Sequence, residues 1–313
     1  MSGERGVALI VVMLVLALLA LVVTEFAYSA RIEASMVRAY RDTVLARHLA
    51  EAGVQQAIRE ILSQSQIGAL DESGQLIFYR VLPGQTTPTR VPPLPRTRVA
   101  LGAGEFSYRI TDEAARLNVN AGDPVRLDRL LDALEVDRTQ RDIISDSIQD
   151  WRDGNELHRA HGAESDYYLK LPTPYRARNA NLQDAAELLQ IRGVTPELYY
   201  GTNGRPGLGA LVTAVALNAV SLNAAPAPVL KAAGLSDAEV DEVVRTRVRT
   251  PYAAVPGRFA GRGLSTGSPI FRIEAEGLIG GVSRSQLVAV VRRGRPGRVL
   301  DVTVLSWRPG AGS

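Results

Sequence analysis

The chain has 313 residues, 46% of them hydrophobic and 22% charged, a balance that supports a packed core and argues against disorder for the bulk of it. Lys and Arg number 36 against 33 Asp and Glu, a net charge of +3, too small an excess over this length for a nucleic-acid surface. With no cysteine, disulfides, thiolate metal sites and cysteine nucleophiles are excluded, and the length fits two or three domains.

Residues 7–23, VALIVVMLVLALLALVV, are all apolar and contain neither Gly nor Pro. As a helix they reach roughly 26 Å, slightly under the ~30 Å hydrocarbon core of a bilayer. Thirteen of them are Leu, Ile or Val, and such a run gains on the order of 4 to 8 kcal/mol on insertion. A soluble helix does not keep an apolar surface all the way round. Only MSGERG precedes the run. A secretory signal places its cleavage site after the apolar stretch, and Ala27 and Ala30 frame one candidate. The helical pattern nevertheless runs straight through it, with no Gly or Pro from Val7 to Ala52. Val37, Tyr40, Val44, Ala50, Val54, Ala57, Ile58 and Ile61 fall at helix spacing. Arg31, Glu33, Arg38, Arg41, Asp42 and Arg47 occupy the remaining face. One continuous helix over 7–62 is expected, roughly 84 Å long, its first third soluble in lipid and its remainder packed on a globular body.

Residues 75–81 (QLIFYRV) and 104–113 (GEFSYRITDE) alternate apolar and polar positions as half-buried strands do. Between them Pro83, Pro88, Pro92, Pro93 and Pro95 mark an irregular connection. Residues 270–307 return to strand patterns, while 117–269 reads as helices. The expected fold is α+β: a long N-terminal helix on a small antiparallel sheet, with a large all-helical insertion. The insertion carries a degenerate repeat. LNVNAGDPVRLDRLL starts at Leu117 and VSLNAAPAPVLKAAG at Val220, which makes Asn120 and Asn223 equivalent. Each is placed to cap the first helix of a small bundle with its side chain. The chain then divides into a leader (1–6), the N-terminal helix (7–62), the first part of the sheet (63–116), two similar helical modules (117–212 and 213–269), closing strands (270–307) and a tail (308–313). The glycines of 201–209 read as a loop between the modules. Arg292, Arg293, Arg295 and Arg298 read as a solvated hairpin tip.

A short polar leader ending in Gly, an apolar run and an amphipathic extension of the same helix resemble the type IV pilins and pseudopilins. The resemblance implies cleavage by prepilin peptidase between Gly6 and Val7, with methylation of the new N-terminus. Most pilins carry a Glu four residues beyond that new terminus; here the position is Val11. The type II secretion minor pseudopilin K family (general secretion pathway protein K) is the branch that lacks it. The segment 142–181 resembles that family's signature: Asp150-Trp151-Arg152-Asp153, Gly162-Ala163-Glu164, Tyr167-Tyr168, Pro174-Tyr175 and Asn179. Residues 117–120 (LNVN) and 185–201 (AAELLQIRGVTPELYYG) match it as well. The resemblance implies a pilin-like fold, a structural role at the tip of the pseudopilus with Val11 as its determinant, and no enzymatic activity. It implies an inner-membrane anchor with the globular part in the periplasm. The implied partners are minor pseudopilins I and J, the major pseudopilin, prepilin peptidase and the inner-membrane assembly platform.

Read without the family, the same segment holds six oxygen-bearing side chains within 17 residues: Asp150, Asp153, Asn155, Glu156, Glu164 and Asp166. Hard cations such as Ca²⁺ take six to eight oxygens from flexible loops, although the spacing is not that of an EF-hand. The competing reading is a polar loop whose carboxylates cap helices and pair with Arg152, Arg159, Arg176 and Arg178. The resemblance implies bound calcium in this region and leaves the individual ligands open. His158-x-x-His161 with Glu164 invites a zinc reading, but a third ligand is missing. No G-x-S-x-G elbow, phosphate loop or dinucleotide fingerprint occurs. The hairpin around Gly234 continues into an acidic helix, the wrong sign for phosphate. Two alternatives follow: a minor pilin of a type IV pilus or DNA-uptake system, and a membrane-tethered periplasmic metal-dependent hydrolase using His158, His161 and Glu164.

Overall fold

The computed structural model describes residues 3–63, 67–82, 84–85, 87–121, 123–202, 204–215, 217–294 and 301–310, with side chains from residue 9 onward. The chain opens with α1 (Gly3–Leu62), an unbroken helix. Then come β1 (Ile67–Leu70), β2 (Leu76–Arg80), β3 (Thr89–Arg90), β4 (Val99–Leu101) and β5 (Gly104–Asp112). The helical block holds β6 (Leu117–Asn118), α2 (Pro124–Ala133), α3 (Arg138–Arg152), α4 (Ser165–Tyr168), α5 (Pro196–Tyr200), α6 (Leu208–Leu211) and β7 (Val212–Thr213). It continues with β8 (Val220–Ser221), α7 (Ala227–Ala232), α8 (Asp237–Arg249) and β9 (Leu264–Ser265). The chain closes on β10 (Ile270–Ile279), β11 (Val282–Arg293) and β12 (Val302–Pro309). The expected long helix, antiparallel sheet and helical insertion are present, but the insertion is not all-helical: the short strands β6, β7, β8 and β9 lie within it.

The main sheet has five strands in the order β12-β11-β10-β5-β4, antiparallel throughout. One face is covered by the last third of α1, where Ala46, Leu49, Ala50, Val54, Ala57 and Ile61 are buried against Phe106, Tyr108, Ile273, Ala275 and Ala289. The approach is close: a Cβ on Gly277 would lie 1.8 Å from the Ala46 carbonyl oxygen, so only glycine lets the helix backbone sit against β10. Near the end of α1, Glu60 is buried with Arg96, which donates to it twice at 2.6 and 3.0 Å, and Tyr108 Oη donates at 2.9 Å. A buried charge needs this degree of pairing.

Two expectations are corrected here. Val37 and Tyr40 are 62% and 74% exposed, and Val44 is exposed too. The body therefore covers α1 only from about residue 46, and the rest of the helix stands free. Periodicity marks an apolar face but not what covers it. Second, β2 does not join the main sheet. It pairs with β1 and β3 in a separate three-stranded sheet. Leu76, Ile77 and Phe78 are buried in succession, because both faces of this strand are covered, so the alternation stops.

The helical block is built twice on one plan. Short strand β6 pairs in parallel with β7, and β8 in parallel with β9. Asn120 Nδ2 donates to the carbonyls of Leu182 and Ala214 at 2.7 and 2.9 Å, and its Oδ1 accepts from Leu182 N–H at 2.9 Å. Asn223 Nδ2 donates to Tyr252 and Thr266, both at 2.9 Å, and Oδ1 accepts from Tyr252 N–H at 2.8 Å. Ala214 and Thr266 each follow the closing strand of their unit. Arg152 at the end of α3 donates to the Val119 carbonyl, and Arg247 near the end of α8 to the equivalent Leu222 carbonyl. The expected role of these asparagines was helix capping. Asp123 caps α2 instead, and α7 has no side-chain cap. Each Asn holds two distant stretches of chain together, which satisfies buried backbone groups that no ladder reaches. The units pack mainly through α2 and α7 around one apolar core.

The glycine-rich stretch 201–209 lies before β7, inside the first unit. Gly207 and Gly201 approach so closely that a Cβ on either would fall 2.3 Å from the other's segment. Arg293 is half-buried, its guanidinium 5.5 Å from the Phe271 ring and donating to the Ile61 carbonyl, so it is not solvated as expected. Arg292 is exposed, and Arg295 and Arg298 lie outside the described residues.

Candidate metal centre and membrane helix

Among the described residues, one helix is long and apolar enough to cross a membrane. Residues Leu9 to Val23 of α1 are exposed throughout, Val11 at 53%. The next stretch, residues 24–45, adds about 33 Å of free helix before the body begins. Gly6 and Val7 fall in the first turns of α1, and their side chains lie outside the described residues.

The acidic cluster is assembled by α3 and the loop after it. Asp137 caps α3 by accepting from Gln140 N–H, and the buried face of the helix carries Ile144, Ile148, Asp150 and Trp151. Asp153 is the residue where α3 ends, in extended conformation. The loop returns so that Glu164, immediately before α4, faces the end of α3. One ligand atom from each of Asp150, Asp153 and Glu164 lies within 4.8 Å of the others. Among the described residues this is the grouping of Asp, Glu and His close enough to share an ion. Asp150 is fully buried and Glu164 is 1% exposed.

The other sequence candidates fall around this cluster. Glu156 accepts from Ser165 N–H and Oγ at 3.2 and 3.0 Å and from Asn179 Nδ2 at 2.9 Å. Asn155 donates to Asp153 at 2.5 Å and accepts from Leu157 N–H. Asp166 projects outward to Lys170, 3.2 Å away, and is not part of the site. His161 Nδ1 lies 3.4 Å from Asp146, and His158 Nδ1 3.3 Å from the Arg159 carbonyl. Neither histidine reaches the cluster, so the geometry does not form the His158/His161/Glu164 zinc site.

Beneath the acids lies an aromatic floor. Tyr168, fully buried, meets Trp151 edge-on and Tyr175 in a stack, both at 5.2 Å. Arg192 covers Tyr167 at 4.9 Å and donates through its backbone to Tyr168 Oη and through its side chain to the Gly162 carbonyl. The motif residues of 150–179 thus form one packed unit, with the carboxylates on a rigid base.

The chemistry of the donors fits a hard divalent cation. Both oxygens of Glu164 are buried without a hydrogen-bond partner, the state that a bound ion or a proton would relieve. Burial first, then the charges of Asp150, Asp153 and Glu156, push its carboxyl up to about 7. A Cβ on Gly162 would sit 1.8 Å from Asp150 Oδ2, so glycine keeps that carboxylate's space open. Three acids are fewer than the oxygens calcium takes, and carbonyls and water would complete the shell. Of the arginines that could have paired these acids, Arg159 does so: Nη1 donates to Asp150 Oδ1 at 2.6 Å and to Asp153 Oδ2 at 2.7 Å. Arg152 is spent on backbone carbonyls instead. Sequence alone gave Arg159 no priority over three other arginines, since nothing in a polar loop shows which acid a long side chain will face.

Comparison with known proteins places this arrangement. Residues 109–202 match the family model for protein K of the type II secretion system. The chain is 30% identical over 280 residues to type II secretion system protein K of Pectobacterium carotovorum subsp. carotovorum, covering 81% of this chain and 78% of the relative. It is 26% identical over 219 residues to a putative type II secretion system protein K of Escherichia coli (strain K12), 63% of this chain and 60% of that one. The fold is similar to a chain in the crystal structure of the GspK-GspI-GspJ complex from the enterotoxigenic Escherichia coli type 2 secretion system. The TM-score is 0.60 at 16% identity, with 90% of this chain and 99% of that one covered. Similarity sustained over most of both lengths, with the acidic and aromatic unit inside the matched segment, shows that this chain belongs to the type II secretion system protein K family.

Proposed function

We propose that this minor pseudopilin sits at the tip of the pseudopilus, where it helps initiate assembly and so supports export of folded proteins across the outer membrane. In this reading prepilin peptidase cuts between Gly6 and Val7, α1 anchors the subunit in the inner membrane with its body in the periplasm, and methylation follows. The apolar segment of α1 then leaves lipid to pack against equivalent helices. The partners are minor pseudopilins I and J, the major pseudopilin and the inner-membrane assembly platform.

The observation that carries the tip position is where the helical block joins the sheet. It leaves from the end of β5 at Asp112 and returns at the start of β10 at Ile270, two positions that adjoin in register. Gly277 of β10 lies against Ala46, whereas the Ile61 carbonyl is bonded by Arg293, which pairs with β12 and covers Phe271 at the other end. The insertion is therefore rooted at the end of the sheet remote from the membrane. A subunit stacked above would meet about 150 extra residues there. Val11 adds that no carboxylate is offered at the position that in other pilins neutralises a neighbour's free amine. The complex named for the similar structure supports I and J as neighbours. Calcium held by Asp150, Asp153 and Glu164 would lock the loop between α3 and α4 into the body.

The direct test is photo-crosslinking from exposed positions of α1, such as Val37 and Tyr40, in cells that secrete. Adducts with minor pseudopilins I and J support the reading. Adducts with the major pseudopilin alone, at every position, would sink it.

A further inference from the structure

We infer that Arg159 is a tethered competitor for the ion: its guanidinium occupies Asp150 and Asp153 in the ion-free protein and gives them up when a divalent cation binds. The inference rests on the calcium reading of this cluster and concerns a residue outside the ligand set.

Four features point to exchange rather than a permanent pair. First, one nitrogen, Nη1, serves both acids, at 2.6 and 2.7 Å, the bridging place that a cation shared by them would take. Second, the Arg159 side chain is 38% exposed, although Asp150 is fully buried. The guanidinium can thus swing into water without opening the core, and the charge it leaves on buried Asp150 is compensated only when the ion takes its place. Third, the loop does not depend on that side chain. The Arg159 backbone N–H also donates to Asp150, at 3.1 Å to Oδ2, and the Gly162 N–H bonds the Arg159 carbonyl at 3.1 Å. Fourth, the guanidinium leaves the third acid unserved: both Glu164 oxygens are buried without a partner. One positive charge against three carboxylates leaves the site short of cation. A divalent ion supplies more charge and reaches all three, and its own charge repels the guanidinium a few ångströms away.

The arrangement makes ion-free protein tolerable without making it insensitive to the ion. Without Arg159 the carboxylates would repel one another unrelieved, and with it they are held for exchange. Competition lowers apparent affinity, since part of the binding free energy is used to displace the resident cation. Removing it should tighten binding by roughly tenfold, the scale of one or two charged hydrogen bonds in partial solvent.

The test is calorimetric titration of Ca²⁺ into the full chain in detergent, stripped with chelator, alongside Arg159→Gln, Arg159→Met and Arg159→Lys. Arg159→Gln and Arg159→Met should bind about tenfold more tightly, with Arg159→Lys in between. The same two variants should melt below the parent in chelator and at or above it in saturating calcium. Equal or weaker binding by variants that melt normally in calcium would overturn the inference while leaving the site standing. Variants that do not fold even in saturating calcium would show Arg159 to be a fixed structural cation, which also overturns it. No calcium binding by the parent chain would remove the calcium reading itself, and this inference with it.

Discussion

Replacing Glu164 by Gln should stabilise the ion-free protein near pH 8 and remove its response to calcium. Loss of a buried acid from a motif is ordinarily expected to destabilise, so the sign is informative. The carboxyl is pushed up from 4.5 to about 7 by burial and by its acidic neighbours. Its folded pKa lies above its unfolded one, so the folded state holds the proton more tightly. Ion-free stability is then greatest below about 4.5 and falls as the pH climbs through about 7. The rise from 4.5 to about 7 sets an upper bound of about 3 kcal/mol on the stability lost by pH 8. Gln keeps the shape and carries no charge, so it escapes that loss, worth several degrees in melting temperature for a body of this size. The assay is thermal unfolding of the full chain in detergent at pH 5 and pH 8, with chelator and with calcium. The parent should gain from calcium at pH 8 and little at pH 5, and Glu164→Gln should gain at neither. A variant that melts below the parent in chelator at pH 8, or that gains as much from calcium, would refute the reasoning.

Asn223→Ala removes three hydrogen bonds from a fully buried position and should cost about 3 to 5 kcal/mol by chemical denaturation. Asn120→Ala, at a partly buried site, should cost less; equal near-zero losses would show that the units do not depend on these clamps. Asp112, buried at the junction of sheet and insertion, has its carboxyl raised to about 6, chiefly by burial and against the Ala114 N–H bond that lowers it. Here too the folded pKa is the higher, so its contribution falls as pH rises from about 4 through about 6. Asp112→Asn should be more stable than the parent above pH 7, by up to about 3 kcal/mol, and flatter across that window; a variant less stable at pH 8 would contradict this. Intact mass of protein from membranes of cells with prepilin peptidase should correspond to a chain starting at Val7, N-methylated. A start at Met1 or after Ala30 would mean a plain anchor or an ordinary signal peptide.

The long helix was readable because no Gly or Pro interrupts 7–52 and the apolar run needs a partner that water cannot supply. Strands β5 and β10 were readable from alternation, since one face lies on α1 and the other is polar. What failed was knowledge of partners. Val37 and Tyr40 have the spacing of packed residues, but the body ends short of them. Residues 75–81 pattern like a sheet strand, yet which sheet they join is settled by pairing with β1. The asparagines and their equivalence are visible in the repeat, while their targets, 62 and 94 residues on for Asn120, are invisible locally. In the acidic segment, Glu164 and Asp166 look alike in sequence. One precedes α4 and turns inward and the other lies on its outer face, a distinction of two positions on a single turn.

The tip assignment is tested most directly by labelling one exposed site of this chain and viewing pseudopili from secreting cells by electron microscopy. The account predicts label at a single end of each filament. Label distributed along the shaft would contradict it.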